Sequence, residues 1–225
     1  MLVVCVAVPA TAGAQPAADS PQAKPRPARA PAPKRPVRKV TIGGYGSIGS
    51  TAFTAADTFD AVLGTAKGKT LGGGVSVGLP WGGLFVDVGA WRFSDRGQRV
   101  FVSGGQTFGL GIPVRVTVTP LEVTGGWRFR RLAKRVVPYV GGGISSYAYT
   151  ESSDFSVSGE DVSERFAGFH LLGGAAFKLS KWLGLAGEAV WATVPDALGD
   201  GGVSKAFGDS DLGGTSVRLK VTVGR

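Results

Sequence analysis

The sequence predicts an all-β fold over residues 37–225: an eight-stranded antiparallel up-and-down transmembrane β-barrel. Three observations lead there. Apolar and polar residues alternate in stretches of about ten, the period of an extended strand and the pattern of a barrel that crosses a bilayer. The joints between stretches alternate short and long. No run of 18 apolar residues follows the N-terminus, so a helical span is excluded.

Two segments precede the barrel. Residues 2–14 form an apolar stretch ending Ala12-Gly13-Ala14, which matches the cleavage site of an export signal, so 1–14 is expected to be a signal peptide. The usual basic n-region is missing, and the true translation start is left open. Cys5 falls inside this segment; as the only cysteine it excludes an intramolecular disulfide. Residues 15–36 hold seven prolines among Ala, Gln, Lys and Arg, a composition that cannot bury a core, so a disordered periplasmic linker is expected.

Charge follows the same division. The chain carries +9, but residues 15–39 hold seven bases (Lys24, Arg26, Arg29, Lys34, Arg35, Arg38, Lys39) against Asp19, or +6. The basicity belongs mainly to a tail rather than a folded surface, and no nucleic-acid partner is expected. Glycine, at 37 residues, is about twice its usual share, which suits crowded backbones and tight bends in strands.

Strands are expected near 37–54, 69–80, 84–102, 113–130, 136–150, 165–179, 183–195 and 211–224. The alternation is plainest in the last three. Phe169, Leu171, Ala175, Phe177 and Leu179 oppose His170, Gly174 and Lys178. Leu183, Leu185, Ala189 and Trp191 oppose Gly184, Ala186, Glu188 and Ala192. Val217, Leu219, Val221 and Val223 oppose Arg218, Lys220 and Thr222. Short turns are expected at 79–83, 131–135 and 180–182, and long loops near 55–68, 103–112, 151–164 and 196–210. This asymmetry is that of a bacterial barrel with both termini in the periplasm.

Trp81, Trp127, Phe129 and Trp182 cluster at the short turns, where an aromatic girdle would meet the lipid interface. Arg128, Arg130, Arg131, Lys134 and Arg135 sit at the same end; Glu151, Asp154, Glu160, Asp161 and Glu164 occupy a long loop. The acidic loops at 151–164 and 196–211 are also weighed as sites for divalent cations bridging lipopolysaccharide.

The motifs Pro138-Tyr139-Val140-Gly141-Gly142-Gly143 and Gly126-Trp127-Arg128-Phe129 resemble the central strands of OmpA-type outer-membrane β-barrel domains. The resemblance spans roughly residues 40–225. It implies an eight-stranded barrel in outer-membrane lipid, inserted by the barrel assembly machinery. The chain ends Val223-Gly224-Arg225, where such barrels usually end in an aromatic residue.

On the polar phase fall Asp87, Glu122, Arg128, Lys178, Glu188, Arg218 and Lys220. Eight strands leave an interior just wide enough for side chains, and unpaired charges there are costly, so a salt-bridged plug is expected. The same residues could line a narrow ion path. His170, the only histidine, cannot build a multi-histidine metal site. It is weighed as a general base in a barrel-embedded lipid hydrolase, with Ser145 or Ser146 as nucleophile and Glu188 as orienter, against the simpler reading of a luminal polar residue. No metal, cofactor or catalytic residue is expected.

The expected function is therefore a non-enzymatic, monomeric cell-envelope protein. It would anchor in the outer membrane with a closed lumen and reach extracellular ligands through its loops. A narrow channel or transporter for small solutes is the alternative; a lipid-modifying enzyme and a soluble periplasmic ligand-binding barrel stand behind it. Periodicity alone does not say which face is inside, and the soluble rival requires the apolar phase to point inward.

Overall fold

A computed structural model describes residues 40–130, 135–153, 162–199 and 201–224. The expected signal peptide, Cys5, the linker, turn residues 131–134 and the acidic-loop residues Asp154, Glu160 and Asp161 lie outside the described residues, while Glu151 and Glu164, expected in that loop, stand in the strands on either side of it. The eight strands are β1 (Thr41–Phe53), β2 (Lys67–Gly78), β3 (Leu84–Ser103), β4 (Gln106–Arg128), β5 (Val136–Ser152), β6 (Val162–Lys178), β7 (Leu183–Thr193) and β8 (Gly214–Gly224). Each pairs antiparallel with the next, and β8 returns to β1 from Gly43–Gly224 to Phe53–Gly214, closing the barrel. Closure leaves no open sheet edge, which is the condition for a strand structure in hydrocarbon.

The principal departure from the expected elements is at 103–112. No long loop is formed there: β3 and β4 continue as one hairpin of 20 and 23 residues, joined at Gly104-Gly105. Both glycines have positive φ, +58° and +76°, the backbone of a tight two-residue hairpin turn. The alternation fades there, because both faces of the distal hairpin are exposed, and the fading pattern reads as loop. Elsewhere, the joint after β1 carries helix α1 (Ala56–Leu63) and the joint after β7 a short helix α2 (Gly202–Phe207). α1 stops at Gly64, which adopts the left-handed conformation and returns its N–H to the Asp60 carbonyl.

Orientation of the two strand faces is unambiguous. Ile42, Ile48, Leu71, Val75, Val140, Ile144, Phe169, Leu171, Val217 and Leu219 all stand exposed on the outside. Every acid on a described strand (Asp87, Asp95, Glu122, Glu151, Glu164, Glu188) occupies the inward phase. On β5 the outer apolar positions run from Val136 to Ile144. Eight steps span about 27 Å along the strand, or roughly 21 Å along the axis at a typical tilt of ~40°. That is near the ~25 Å apolar band of a membrane barrel. The inverted arrangement required of a soluble ligand-binding barrel is not the one present.

Candidate functional site: the barrel lumen

The inward side chains form three layers along the lumen. At the loop end lies an apolar layer: Phe53, Phe93, Val116 and Val118 from the wall and Val194 and Leu212 from the joint between β7 and β8, with Phe59 of α1 folded onto them. Phe59 stacks on Phe53 at a centroid separation of 4.2 Å and meets Phe93 edge-on at 6.3 Å. Carboxylates fasten the joints above. Asp209 accepts from the Thr58 N–H and hydroxyl at 2.9 and 2.6 Å, tying α1 to the joint before β8. Asp211 accepts from the Thr193 hydroxyl and from the N–H groups of Val194 and Gly213 at 2.6–2.7 Å.

The middle layer is charged and buried. The Arg218 guanidinium donates two parallel bonds to Glu122, each 2.8 Å, in the bidentate geometry that makes this pairing strong. Glu188 lies directly across the ladder from Arg218, with a carboxylate oxygen 3.7 Å from Nη1. Its other oxygen accepts from Lys220 Nζ at 2.8 Å and from the Tyr139 hydroxyl at 3.1 Å. The Tyr45 hydroxyl donates to Asp87 at 2.5 Å.

Aromatic rings complete this layer. Arg218 stacks over the Trp91 ring at 3.9 Å and Lys220 sits over Tyr45 at 4.4 Å, so each cation meets a carboxylate and a π face. Inward glycines make the space. A β-carbon at Gly89 would lie 2.3 Å from the Trp91 ring and 2.4 Å from the Tyr45 hydroxyl oxygen; at Gly74 it would lie 2.5 Å from that same oxygen.

The inner layer is a cavity of about 700 Å³ open at the short-turn end. Asp87, Glu188 and Lys220 form its floor, Phe85, Val137 and Ala186 part of its wall, and Arg128, Arg130, Lys178 and Lys181 line its mouth. Arg128 donates to the Ser76 hydroxyl at 2.6 Å and stacks on Phe85 at 4.5 Å.

Of the seven charges expected to share a luminal network, Glu122, Glu188, Arg218 and Lys220 are joined in one buried cluster. Asp87 stands beside it on Tyr45. Arg128 lies nearer the mouth with a hydroxyl and a ring as partners. Lys178 does not join: it is exposed, because β6 ends there and its side chain reaches the rim rather than the low-dielectric middle. Trp81, Trp127, Phe129 and Trp182 are all exposed near the short turns.

Three aromatic partners, Tyr45, Trp91 and Tyr139, were not foreseen as part of the layer. The signal was available for two of them: Trp91 lies four residues from Asp87 on one strand face. Tyr45 has the same parity as the other inward residues of β1.

Of the hydrolase arrangement the Ser145–His170 contact forms, but Glu188 does not orient the imidazole. His170 is 1% exposed and held between two hydroxyls, Ser145 at Nδ1 and Thr124 at Nε2, both at 2.7 Å. Glu188 is engaged by Lys220, Tyr139 and Arg218 instead of orienting the imidazole, and Ser146 is exposed on the outward phase. The imidazole therefore cross-links β4, β5 and β6 inside the wall.

No family model matches the sequence, and no curated protein matches it. Solved structures of similar fold include Neisserial surface protein A, at 12% identity over 82% of this chain and 95% of that one, with a TM-score of 0.46. The N-terminal β-barrel domain of Pseudomonas aeruginosa OprF is 12% identical over 83% and 96%, with a TM-score of 0.44. A major outer membrane protein from Thermus thermophilus is 14% identical over 81% and 99%, with a TM-score of 0.47. The closed ring of eight antiparallel strands itself is read from this chain's own strand pairing.

Proposed function

We propose that this chain is a bacterial outer-membrane protein whose sealed barrel acts as an anchor and presents its loop-end structures for interaction outside the cell. Residues 1–14 direct export, residues 15–36 tether the barrel on the periplasmic side, and the assembly machinery inserts residues 37–225 with both termini periplasmic. The observation that carries this reading is the segregation of the two strand faces. Large apolar side chains face outward over a membrane-thick band, while the strand acids face inward.

The anchoring role, in preference to conduction, is supported by two successive seals. The apolar layer with Phe59 of α1 closes the loop end of the lumen, and the Glu122–Arg218–Glu188–Lys220 layer closes its middle. The cavity at the short-turn end is a dead end against that charged floor. Trp81, Trp127, Phe129 and Trp182 would sit at the periplasmic interface as the girdle.

Planar-bilayer recording of the refolded full chain tests the sealed lumen. The expected result is a silent membrane at insertion levels verified by heat-modifiable gel mobility. Reproducible ohmic steps from folded protein would replace the anchor reading with the channel reading.

A further inference from the structure

The outer face of the barrel just beyond the apolar band carries a second pattern, and its sign is uniform. Lys67 and Lys69 on β2, Arg92 and Arg96 on β3, Arg115 on β4 and Arg165 on β6 all occupy outward positions on the loop side of the band and are exposed. Among the described strand residues no acid faces outward. The short-turn end differs. Its strand bases Arg128 and Lys178 have inward parity and line the cavity mouth, and its outward positions are apolar, including Val136, Phe177 and Trp127.

The pairing within this band is unfavourable as it stands. Arg96 and Arg115 are direct partners across the β3–β4 ladder. Directly opposed like charges repel, and both guanidinium groups point away from the inward-facing acids that would neutralise them. Arg92 stands four residues from Arg96 on the same face of β3, opposite Leu71 of β2, and Lys69 lies two residues from Leu71 on that strand's outward phase. Such a cluster at the edge of a hydrocarbon band is relieved by anions that are themselves held at that depth.

We propose that the outer face of β2–β4 binds the phosphates of a multiply phosphorylated glycolipid in the outer leaflet, with Arg96 and Arg115 clamping one phosphate between them. Guanidinium groups suit this role, since each offers two parallel N–H donors to a phosphate. The acyl chains lie against the apolar surface below, where Leu71, Val88, Leu121 and Val123 are exposed. The inference rests on the outer-membrane reading and deepens it: it assigns the loop end to the phosphate-bearing leaflet on charge, independently of loop length.

The test uses the full chain refolded in zwitterionic phosphatidylcholine nanodiscs, titrated with bisphosphorylated lipid A and read by native mass spectrometry. Dephosphorylated lipid A and inorganic phosphate are the comparison ligands. The expected result is saturable binding of the bisphosphorylated lipid, with little binding of either comparison ligand. The double variant Arg96→Gln/Arg115→Gln should weaken it ~30-fold, the effect of two bases at a charged membrane surface. Lys181→Gln, at the opposite end, should change it less than about twofold by the same measure.

Equal binding of dephosphorylated lipid, inorganic phosphate binding as tight as the lipid, or an unaltered double variant would each overturn the proposal. A folded, heat-modifiable barrel in the nanodisc under any of those results leaves the membrane reading standing. Failure to insert at all would remove both.

Discussion

Arg218→Met removes the guanidinium that joins two buried carboxylates, and the structure sets the size of the loss. Glu122 is 1% exposed and has both oxygens on Arg218, so the variant leaves it buried without its cationic partner. Glu188 loses one neighbour but keeps Lys220 and Tyr139. Breaking a buried ion pair from one side costs about 3–5 kcal/mol. That is two to four decades in the unfolding equilibrium, at ~1.4 kcal/mol per decade. Removing both partners in Glu122→Gln/Arg218→Met leaves no orphaned charge, so most of the stability should return.

Urea unfolding in phosphatidylcholine vesicles, followed by tryptophan fluorescence and gel mobility, measures the four proteins of the cycle (wild type, Arg218→Met, Glu122→Gln and the double variant), and the double-mutant cycle isolates the coupling. A cost below about 1 kcal/mol for Arg218→Met, the level of a surface pair, would refute the buried-network argument. So would a double variant as unstable as the sum of the singles. Neither variant should conduct, because the apolar layer around Phe59 still closes the lumen.

Two further predictions concern the belt and the loop-end layer. Leu219→Arg places a charge at the middle of an outward strand face and should destabilise the barrel in vesicles by about 2–4 kcal/mol; Val223→Arg, near the short-turn edge, should cost about 0–1 kcal/mol. Equal, near-zero effects in the same unfolding assay would contradict a bilayer around that face. Phe59→Ala removes a 4%-exposed ring stacked on Phe53 and should cost about 3–5 kcal/mol of the packing that holds α1, seen as protease cleavage at residues 55–66 in intact vesicles. Unchanged protease resistance would show that α1 is held by the Asp209–Thr58 bonds instead.

The legible part of the fold was the part written in period two. β6, β7 and β8 show clean alternation because one face meets a continuous apolar environment and the other a polar interior, so every second residue reports the same surroundings. The distal β3–β4 hairpin carries no such contrast: Thr107, Phe108, Gly109 and Leu110 are all exposed, and with both faces in one environment the strand pattern vanishes. α1 was hidden for another reason. Eight residues hold little more than two helical turns, and only Phe59 is buried, so the 3.6-residue period has too few apolar points to register.

In the lumen the charged residues were readable because a charge on a strand phase opposite Val and Leu has only one economical place to go. Their partners were harder. Trp91 and Tyr45 look apolar by composition, yet one lies under a guanidinium and the other donates to Asp87, and only three-dimensional closure brings β1, β3 and β8 around the same point. Lys178 shows the converse limit. Parity placed it inward, but parity carries no depth, and at the end of β6 an inward lysine reaches solvent.

Fractionation of the native host, with heat-modifiable gel mobility of the extracted protein, decides whether the barrel resides folded in the outer membrane. A transmembrane barrel is recovered in the outer-membrane fraction and gives a band that migrates faster unboiled than boiled. Recovery in the soluble periplasm, or membrane recovery with no shift on boiling, would contradict a folded transmembrane barrel.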